Sequence, residues 1–286
     1  MDTRAYLLER LPLVDGALDA WLPAADAPPD RLHEAMRHAV FSGGKRLRPA
    51  LAFAAAEALG APPERALPAA VAVELVHAYS LVHDDLPCMD DDVERRGQPT
   101  VWKKYGEATA VLTGDALLTA AFGCLAREEG GSEPATRIAA ARDLAAAAGS
   151  LGLVGGQEDD LRFDPAERDT ARIESVHERK SAALIAASIT CGARLAGASE
   201  ATLAELGRAG RAVGVAFQIA DDLLDADEDD PCSLVRAIGS EASLGRAEAL
   251  LGQAEAALDD MMEKGELGDR AALLRGLMRY AVRRSE

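Results

Sequence analysis

Aromatic side chains are scarce in this chain of 286 residues: Phe, Trp and Tyr together make up 4% of it, although 49% is hydrophobic. Stretches in which β-branched and polar residues alternate, as they do in half-buried strands, are also few. Alanine and leucine, which favour helices, supply most of the apolar content. The composition therefore argues against a β-sheet protein and predicts an almost entirely α-helical one.

Cysteine is rare as well, and its spacing indicates neither zinc nor disulfide chemistry. No CxxC pair occurs, and the four cysteines lie far apart, at Cys88, Cys124, Cys191 and Cys232. Such a pattern does not suggest a disulfide framework. A reducing compartment is therefore expected, and we predict a cytoplasmic location.

Targeting segments, long apolar runs and repeats are not evident. The first residues, MDTRAYLLERLP, carry early charges and no long apolar stretch, so no signal peptide is expected. No run of about 18 apolar residues stands out as a membrane span. Neither a repeat of about 20–50 residues nor a low-complexity linker is apparent. We therefore predict one helical domain over residues 1–286.

Positive charge is in deficit, with 31 Lys and Arg against 48 Asp and Glu and a net charge of −17. That balance argues against general binding to nucleic acids or to an anionic membrane surface. It leaves room for a local basic pocket.

Part of the acidic excess lies in one stretch, LVHDDLPCMDDDVERR, at residues 81–96. Its five aspartates follow an apolar, helical pattern, where unpaired charge is costly. Solvated surface is the ordinary interpretation of an acidic run. The alternative is a divalent cation with oxygen ligands, and magnesium suits a partner that brings phosphates. Pro87 interrupts helical hydrogen bonding, so a loop is expected to bring Asp84 and Asp90 together.

A second acidic cluster shifts the balance towards metal binding. The sequence FQIADDLLD at residues 217–225 again leads from an apolar helical run into paired aspartates. Asp221 and Asp225 are four residues apart and share one helix face. Two such clusters indicate facing helices that share metal ions and a polyanionic ligand.

Cations and glycines are concentrated at SGGKRLRP, residues 42–49. The two glycines allow backbone amides to approach a ligand, and three cations follow within four residues. The spacing is not that of a P-loop. His77 lies two helical turns before Asp84, where it is either a core histidine or a phosphate donor. Lys180 also enters an apolar run at a helix end. Asp115 is either a structural acid bonded within the bundle, which we favour, or a supporting partner of the site, and Asp160 is interpreted as a supporting acid.

These motifs together resemble the trans-isoprenyl diphosphate synthase family, in particular bacterial farnesyl and geranylgeranyl diphosphate synthases. HDDLPCMDDDVERRGQPT is similar to the family's first aspartate-rich motif, and FQIADDLLD to its second. GGKRLRP, ELVHAYSLVH, YGEATAVLTGDALL, the GGQ at residues 155–157 and ERKSAALI occur in the family's order. The resemblance covers roughly residues 30 to 225 and implies an all-α bundle around a deep cavity, usually as a homodimer.

The resemblance implies a role for each matching residue. It implies a magnesium site of about three ions. Its metal ligands would be Asp84, Asp85, Asp90, Asp221 and Asp225, of which Asp84, Asp85, Asp90 and Asp221, with Lys180, form the catalytic set. The allylic diphosphate would be bound by Arg95, Lys180, Gln218 and Ser181, which stands where threonine is common. Isopentenyl diphosphate would be bound by Gly44, Lys45, Arg48, His77 and Arg96. Asp91 and Asp92 are expected to be supporting or solvated charges.

The expected reaction joins isopentenyl diphosphate to an allylic diphosphate after metal-triggered ionisation. Tyr79 and Ser80, just before the first motif, are candidates for limiting product length. A tyrosine there favours farnesyl diphosphate; if it only packs the core, geranylgeranyl diphosphate is the alternative. A terpene cyclase, a non-catalytic partner subunit and a plain acidic helical protein remain rival readings.

One segment departs from the family pattern. The family usually carries a glycine–lysine segment after the second motif, but no lysine occurs between Lys180 and Lys264. Either the segment is truly deleted or a loop around residues 231–233 is missing from this chain. We favour a missing loop, because the sequences on either side keep an ordinary helical pattern. The intact mass of the purified protein would distinguish the two possibilities.

Overall fold

The computed structural model describes residues 2–127, 131–224 and 231–283, and these ranges are almost wholly helical. The only strands in them are two residues long each, β1 (Glu94–Arg95) and β2 (Gln98–Pro99), which pair antiparallel. The predicted all-α architecture is confirmed.

Fourteen α-helices occur in the described parts of the chain, with a 3₁₀ turn at Pro63–Ala66 and a π-helical turn at Glu178–Ala182. In chain order the helices are α1 (Thr3–Trp21), α2 (Asp30–Phe41), α3 (Leu47–Ala58), α4 (Leu67–Asp84), α5 (Val101–Tyr105), α6 (Glu107–Ala126), α7 (Pro134–Ala148), α8 (Leu153–Leu161), α9 (Thr170–His177), α10 (Ala183–Leu195), α11 (Glu200–Leu224), α12 (Leu234–Ile238), α13 (Ser240–Glu263) and α14 (Ala271–Arg283).

The centre of the bundle is built from α3, α4 and α10, whose residues are mostly buried. Helix α3 packs against α4, α10 and α14, while α6 covers α4 and α11 packs between α10 and α13. Alanine and glycine allow these axes to come close. A Cβ on Gly192 of α10, for example, would lie 2.3 Å from the carbonyl oxygen of Ala52 in α3. Small residues therefore take the place that aromatic side chains fill in many cores.

Three helical segments are long and apolar enough to cross a membrane by length and composition alone: Pro63–Asp84, Glu107–Ala126 and Pro134–Leu161. Their apolar character comes largely from alanine, and none of the three is an unbroken run of 18 apolar residues, as the sequence predicts. The first segment is 78% buried inside the fold, so core packing accounts for it. The other two are 39% and 28% buried and leave apolar surface on α6 and α7.

Asp115 of α6 is exposed, so its interpretation as an acid bonded within the bundle is wrong. The helical periodicity of this segment is correct, but its polar face points outward. The single-domain organisation predicted for residues 1–286 stays a prediction.

Candidate active site

A cavity of about 810 Å³ opens where α4 and α11 end. Six cations and three carboxylates line it, an excess of positive charge in an otherwise acidic chain. The cations are Lys45, Arg46, Arg48, Arg95, Arg96 and Lys180, and the carboxylates are Glu74, Asp84 and Asp221. Leu81, Leu153, Leu184 and Phe217 add apolar wall. The cavity is therefore suited to a ligand that joins a polyanion to an apolar chain.

The first aspartate motif begins where α4 ends. Asp84 is the last helical residue, and the chain then turns back so that the Asp90 N–H donates to the Asp84 carbonyl oxygen at 2.9 Å. The expectation that a loop brings these two aspartates together is confirmed in the backbone. The Asp84 side chain lines the cavity.

The positive charge near these aspartates does not offset the effect of their burial on their pKa values. Burial raises the pKa of Asp84 to about 7, against the attraction of Lys180, and the nearby Asp90 raises it further. Burial also raises the pKa values of Asp85 and Asp90 above the ordinary range. A cation bound beside Asp84 would restore its ionised form, so this carboxyl group has the property expected of a metal ligand.

Asp85 has a different position from Asp84. It is 4% exposed, and its Oδ1 accepts from Arg95 Nε at 2.7 Å. Arg95 also donates to Asp92 Oδ2 at 2.9 Å. Arg95 lines the cavity, whereas Asp85 and Asp92 hold its guanidinium from behind. The structure thus gives Asp85 and Asp92 positioning contacts, and a metal-ligand role for Asp85 stays a prediction.

Lys180 is presented by the π-helical turn at residues 178–182. Helix α8 lies directly against this turn, because Gly156 lacks a side chain: a Cβ there would lie 2.2 Å from the Lys180 backbone nitrogen. The Lys180 ammonium contacts the Asp160 carboxylate of α8. Burial alone would lower the pKa of Lys180, but Asp160, Asp84 and Asp90 together raise it. Lys180 is therefore a firmly charged cation beside the first motif.

The second motif joins the same wall through a chain of hydrogen bonds. Ser181 Oγ donates to Gln218 Oε1 at 2.6 Å, and Gln218 Nε2 donates to Asp222 Oδ1 at 3.2 Å. Asp222 is buried and accepts the Leu234 N–H at 3.0 Å, so it anchors the chain that follows the motif. Asp221 lines the cavity. Asp225 and the five residues after it, 226–230, lie outside the described residues.

The basic loop forms the other wall. Gly43 and Gly44 have positive φ angles of 99° and 140°, which glycine tolerates. A Cβ on Gly44 would lie 2.8 Å from Arg96 Nη1, and that guanidinium donates to the Gly43 carbonyl oxygen. Lys45 lies over the Tyr280 ring of α14, with its Nζ 5.4 Å from the centroid.

Arg48 and His77 also line the cavity. Arg48 Nε is buried without a hydrogen-bond partner among the described residues. Burial lowers the pKa of Arg48, and burial together with Arg48 and Arg96 lowers the pKa of His77 well below its ordinary value. A bound diphosphate would give Arg48 the partner that it lacks. His77 is neutral at pH 7 and has one ring N–H to donate.

Of the two candidate chain-length residues, only Ser80 lines the cavity. Tyr79 is 4% exposed and contacts His83 edge to face at 5.8 Å between centroids. His83 in turn packs against Gly114 of α6. Tyr79 thus lies on the side of α4 that faces α6, and its role in product length stays a prediction.

Sequence reasoning missed three residues of the cavity: Arg46, Glu74 and Tyr280. Arg46 lies inside the basic motif, but the sequence predicted ligand binding only for its neighbours Gly44, Lys45 and Arg48. Glu74 lies in an apolar helical run, where a single acidic residue could have indicated a polar site. Tyr280 is 235 residues (280 − 45) from Lys45 in sequence, and the packing of α14 on α3 brings the two together.

No group of three or more potential metal ligands is preassembled within the ranges that the structure describes. Asp84 and Asp221 nevertheless line one cavity, and a bound cation would offset the burial that raises the pKa of Asp84. Carboxylate oxygens are the ligands that magnesium prefers, with phosphate oxygens completing its shell. The donor set fits magnesium bound together with a phosphorylated ligand.

This fold and this cavity define a class of helical proteins with a basic site beside an apolar wall. Residues 29–260 match the model of the polyprenyl synthetase family, and the chain belongs to that family. The resemblance predicted from the aspartate motifs is therefore confirmed.

Two curated relatives illustrate the similarity. The chain is 42% identical over 223 residues to the chloroplastic geranylgeranyl pyrophosphate synthase of Capsicum annuum, covering 78% of this chain and 60% of that protein. It is 39% identical over 243 residues to the farnesyl diphosphate synthase of Bacillus subtilis, covering 85% and 78%. The chain thus spans about 60% of the length of the plant relative.

A solved structure extends the similarity to nearly the whole fold. The structure of an FPP/GFPP synthase from Zymomonas mobilis has a TM-score of 0.89 and 37% identity and covers 98% of each chain. The isoprenoid synthase type of fold is therefore confirmed.

Proposed function

We propose that the protein is a trans-prenyltransferase that condenses isopentenyl diphosphate with an allylic diphosphate. The observation that carries this proposal is one cavity lined by six cations, by an aspartate from each motif and by apolar side chains. Family membership and relatives named as farnesyl and geranylgeranyl diphosphate synthases support it.

The first step breaks the C–O bond of the allylic diphosphate. The electron pair leaves with the diphosphate, and an allylic cation remains. Arg95 and Lys180 stabilise the charge that develops on the leaving group, so no protein nucleophile is required. Magnesium, with Asp84 and Asp221 as ligands and Asp85, Asp90 and Asp225 as further candidates, would add positive charge to that diphosphate.

The second step forms the new C–C bond. The double bond of isopentenyl diphosphate supplies the electron pair to the allylic cation. A proton is then lost to the departing diphosphate, and a new double bond forms. Lys45, Arg48 and neutral His77 hold the isopentenyl diphosphate during this step. Leu81, Leu184 and Phe217 reduce the access of water to the cation.

Farnesyl diphosphate is the preferred product, with geranylgeranyl diphosphate as the alternative. The number of about three magnesium ions stays a prediction. A homodimer is proposed as well, because apolar residues are exposed on α6 and α7; they are Val111, Leu112 and Ile138. Light scattering of the purified protein tests it. The proposed cytoplasmic location agrees with four cysteines that form no disulfide among the described residues.

The test is product analysis with labelled isopentenyl diphosphate, magnesium and allylic substrates of five, ten or fifteen carbons. We expect label in a longer all-trans diphosphate and one pyrophosphate released per isopentenyl unit consumed. Cyclic products formed without isopentenyl diphosphate would favour a terpene cyclase. No reaction with any substrate, although the protein is folded, would favour a non-catalytic subunit.

A further inference from the structure

Arg46 has an unusual place in the basic loop, because its side chain turns away from the solvent while its neighbours serve the cavity. It is 8% exposed and has a left-handed backbone with φ of 50°, which is uncommon for a residue other than glycine. Its carbonyl oxygen accepts the Ala50 N–H and so begins α3. A side chain in such a strained position is expected to be held by strong contacts.

Those contacts use most of the guanidinium. Arg46 Nε donates to Asp15 Oδ1 at 2.9 Å, Nη1 donates to Glu74 Oε1 at 2.8 Å, and Nη2 donates to the Val40 carbonyl oxygen at 2.8 Å. Burial alone would lower the pKa of Arg46, but Glu74 and Asp15 raise it. Arg46 thus ties the loop to α1, to α4 and to the end of α2 at once.

We propose that Arg46 is a positioning residue: its contacts with Asp15 and Glu74 fix the loop so that Lys45 and Arg48 converge on one diphosphate. This inference rests on the proposed function, in which that diphosphate belongs to isopentenyl diphosphate. It gives α1, which adds no side chain to the cavity wall in the described ranges, control over the affinity for the second substrate.

The direction in which one substitution changes the affinity for isopentenyl diphosphate distinguishes a positioning role from a simple effect of charge. Glu74 lines the cavity, and its negative charge repels a diphosphate. If charge were its only effect, Glu74→Gln would tighten binding of isopentenyl diphosphate. If Glu74 acts through Arg46, the same substitution releases the loop and weakens that binding.

The first measurement is the KM for each substrate with the other at saturation. We expect Glu74→Gln to raise the KM for isopentenyl diphosphate about tenfold, the size of one charge-assisted hydrogen bond. Asp15→Asn should change it in the same direction but less, because Asp15 is more exposed. The KM for the allylic diphosphate should change less than about twofold, because Arg46 does not contact the aspartate motifs.

Glu57→Gln is the matched control. Glu57 is also a buried carboxylate that fastens α1, through Tyr6 and Arg10, and it also contacts Arg270, but it does not line the cavity. It should lower the melting temperature without a selective rise in the KM for isopentenyl diphosphate. In an Arg46→Met background, Glu74→Gln should add no further rise.

Equilibrium binding keeps this inference separate from the proposed function. Isopentenyl diphosphate is titrated into protein loaded with magnesium and an allylic thiolodiphosphate, which does not ionise readily. A wild type that binds but makes no product would refute the function, and the affinity series would still decide the role of Arg46. An unchanged or stronger affinity in Glu74→Gln, an equal loss for both substrates, or a selective loss in Glu57→Gln would overturn the inference. Failure of the wild type to bind would overturn both.

Discussion

Asp84 is the residue whose substitution tests the chemistry of the site most directly. Its pKa of about 7 arises mainly from burial, and the ammonium of Lys180, which lowers it, also interacts with Asp160 and Asp90. A metal-free protein therefore carries a carboxyl group that is costly to ionise, and the same group binds a cation readily.

We expect Asp84→Asn to lower the turnover rate by at least about a hundredfold, comparable to the loss of a main electrostatic contact in other enzymes. In the metal-free protein at pH 8 the same variant should melt at the same or a higher temperature, because a buried charge is removed. Steady-state kinetics and thermal melting measure the two effects. A clear loss of stability would indicate that Asp84 serves the fold instead.

Tyr79 is the second residue with a sharp test. Burial, with the charge of Asp84, raises its pKa to about 12, and its hydroxyl lacks a hydrogen-bond partner in the described structure. We expect Tyr79→Ala to lengthen the product, because removal of the buried ring beside Ser80, which lines the cavity, would leave room for a longer chain. Tyr79→Phe keeps the ring and should keep both product length and stability. An unchanged product spectrum in Tyr79→Ala would remove Tyr79 from chain-length control.

At the scale of elements, the site depends on how closely α8 approaches the π-helical turn that carries Lys180 and Ser181. Gly156 makes that approach possible. We expect Gly156→Ala to displace the turn, to lower kcat/KM for the allylic substrate and to destabilise the fold by about 1–3 kcal/mol.

Gly123→Ala in α6 is the control for this substitution, because a Cβ there meets nothing within 4 Å. It should leave activity unchanged and stabilise the helix by about 0.5–1 kcal/mol. If Gly156→Ala left activity unchanged and did not destabilise the fold, as expected of Gly123→Ala, the close approach of α8 to the π-helical turn would not be required for function.

A helix can be predicted from the sequence when its formation depends on local residues more than on tertiary packing. The apolar helical patterns before the two aspartate motifs predict α4 and α11, because local propensity and burial agree there. The π-helical turn has no comparable signal, since it results from packing between α8 and α11. The same holds for the cavity wall: the motif residues Asp84, Arg95 and Lys180 were found, but the contact of Lys45 with Tyr280 needs a tertiary fold.

At the scale of the whole molecule, a net charge of −17 surrounds a cavity wall with six cations. The acidic exterior and the basic interior explain how a chain that disfavours general anion binding can select one polyanion. The motif aspartates then supply the countercharge for metal ions.

This arrangement predicts how stability depends on pH. The folded pKa of Asp84 is raised, so its contribution to the metal-free fold is fully present below about pH 4 and is lost as pH rises towards 7. Metal binds the ionised form, so the stabilisation by magnesium and pyrophosphate should grow as pH rises to about 7.

Thermal melting from pH 5.5 to 8.5, with and without these ligands, measures this effect. We expect the ligand-induced shift to be larger at pH 8 than at pH 5.5 by about 2 °C or more. Protonation of pyrophosphate itself also varies with pH, so Asp84→Asn serves as the control and should show a weaker dependence. An equal dependence in the variant would place the effect in the ligand.

The central claim is that the two aspartate motifs share one metal-dependent diphosphate site in this cavity. A crystal structure with manganese and pyrophosphate tests it most directly, because the anomalous signal of manganese locates the ions. The account predicts peaks that contact both Asp84 and Asp221, with pyrophosphate between them and Lys180. Peaks at other carboxylates, or a pyrophosphate bound in the cavity without any metal at these two residues, would contradict it.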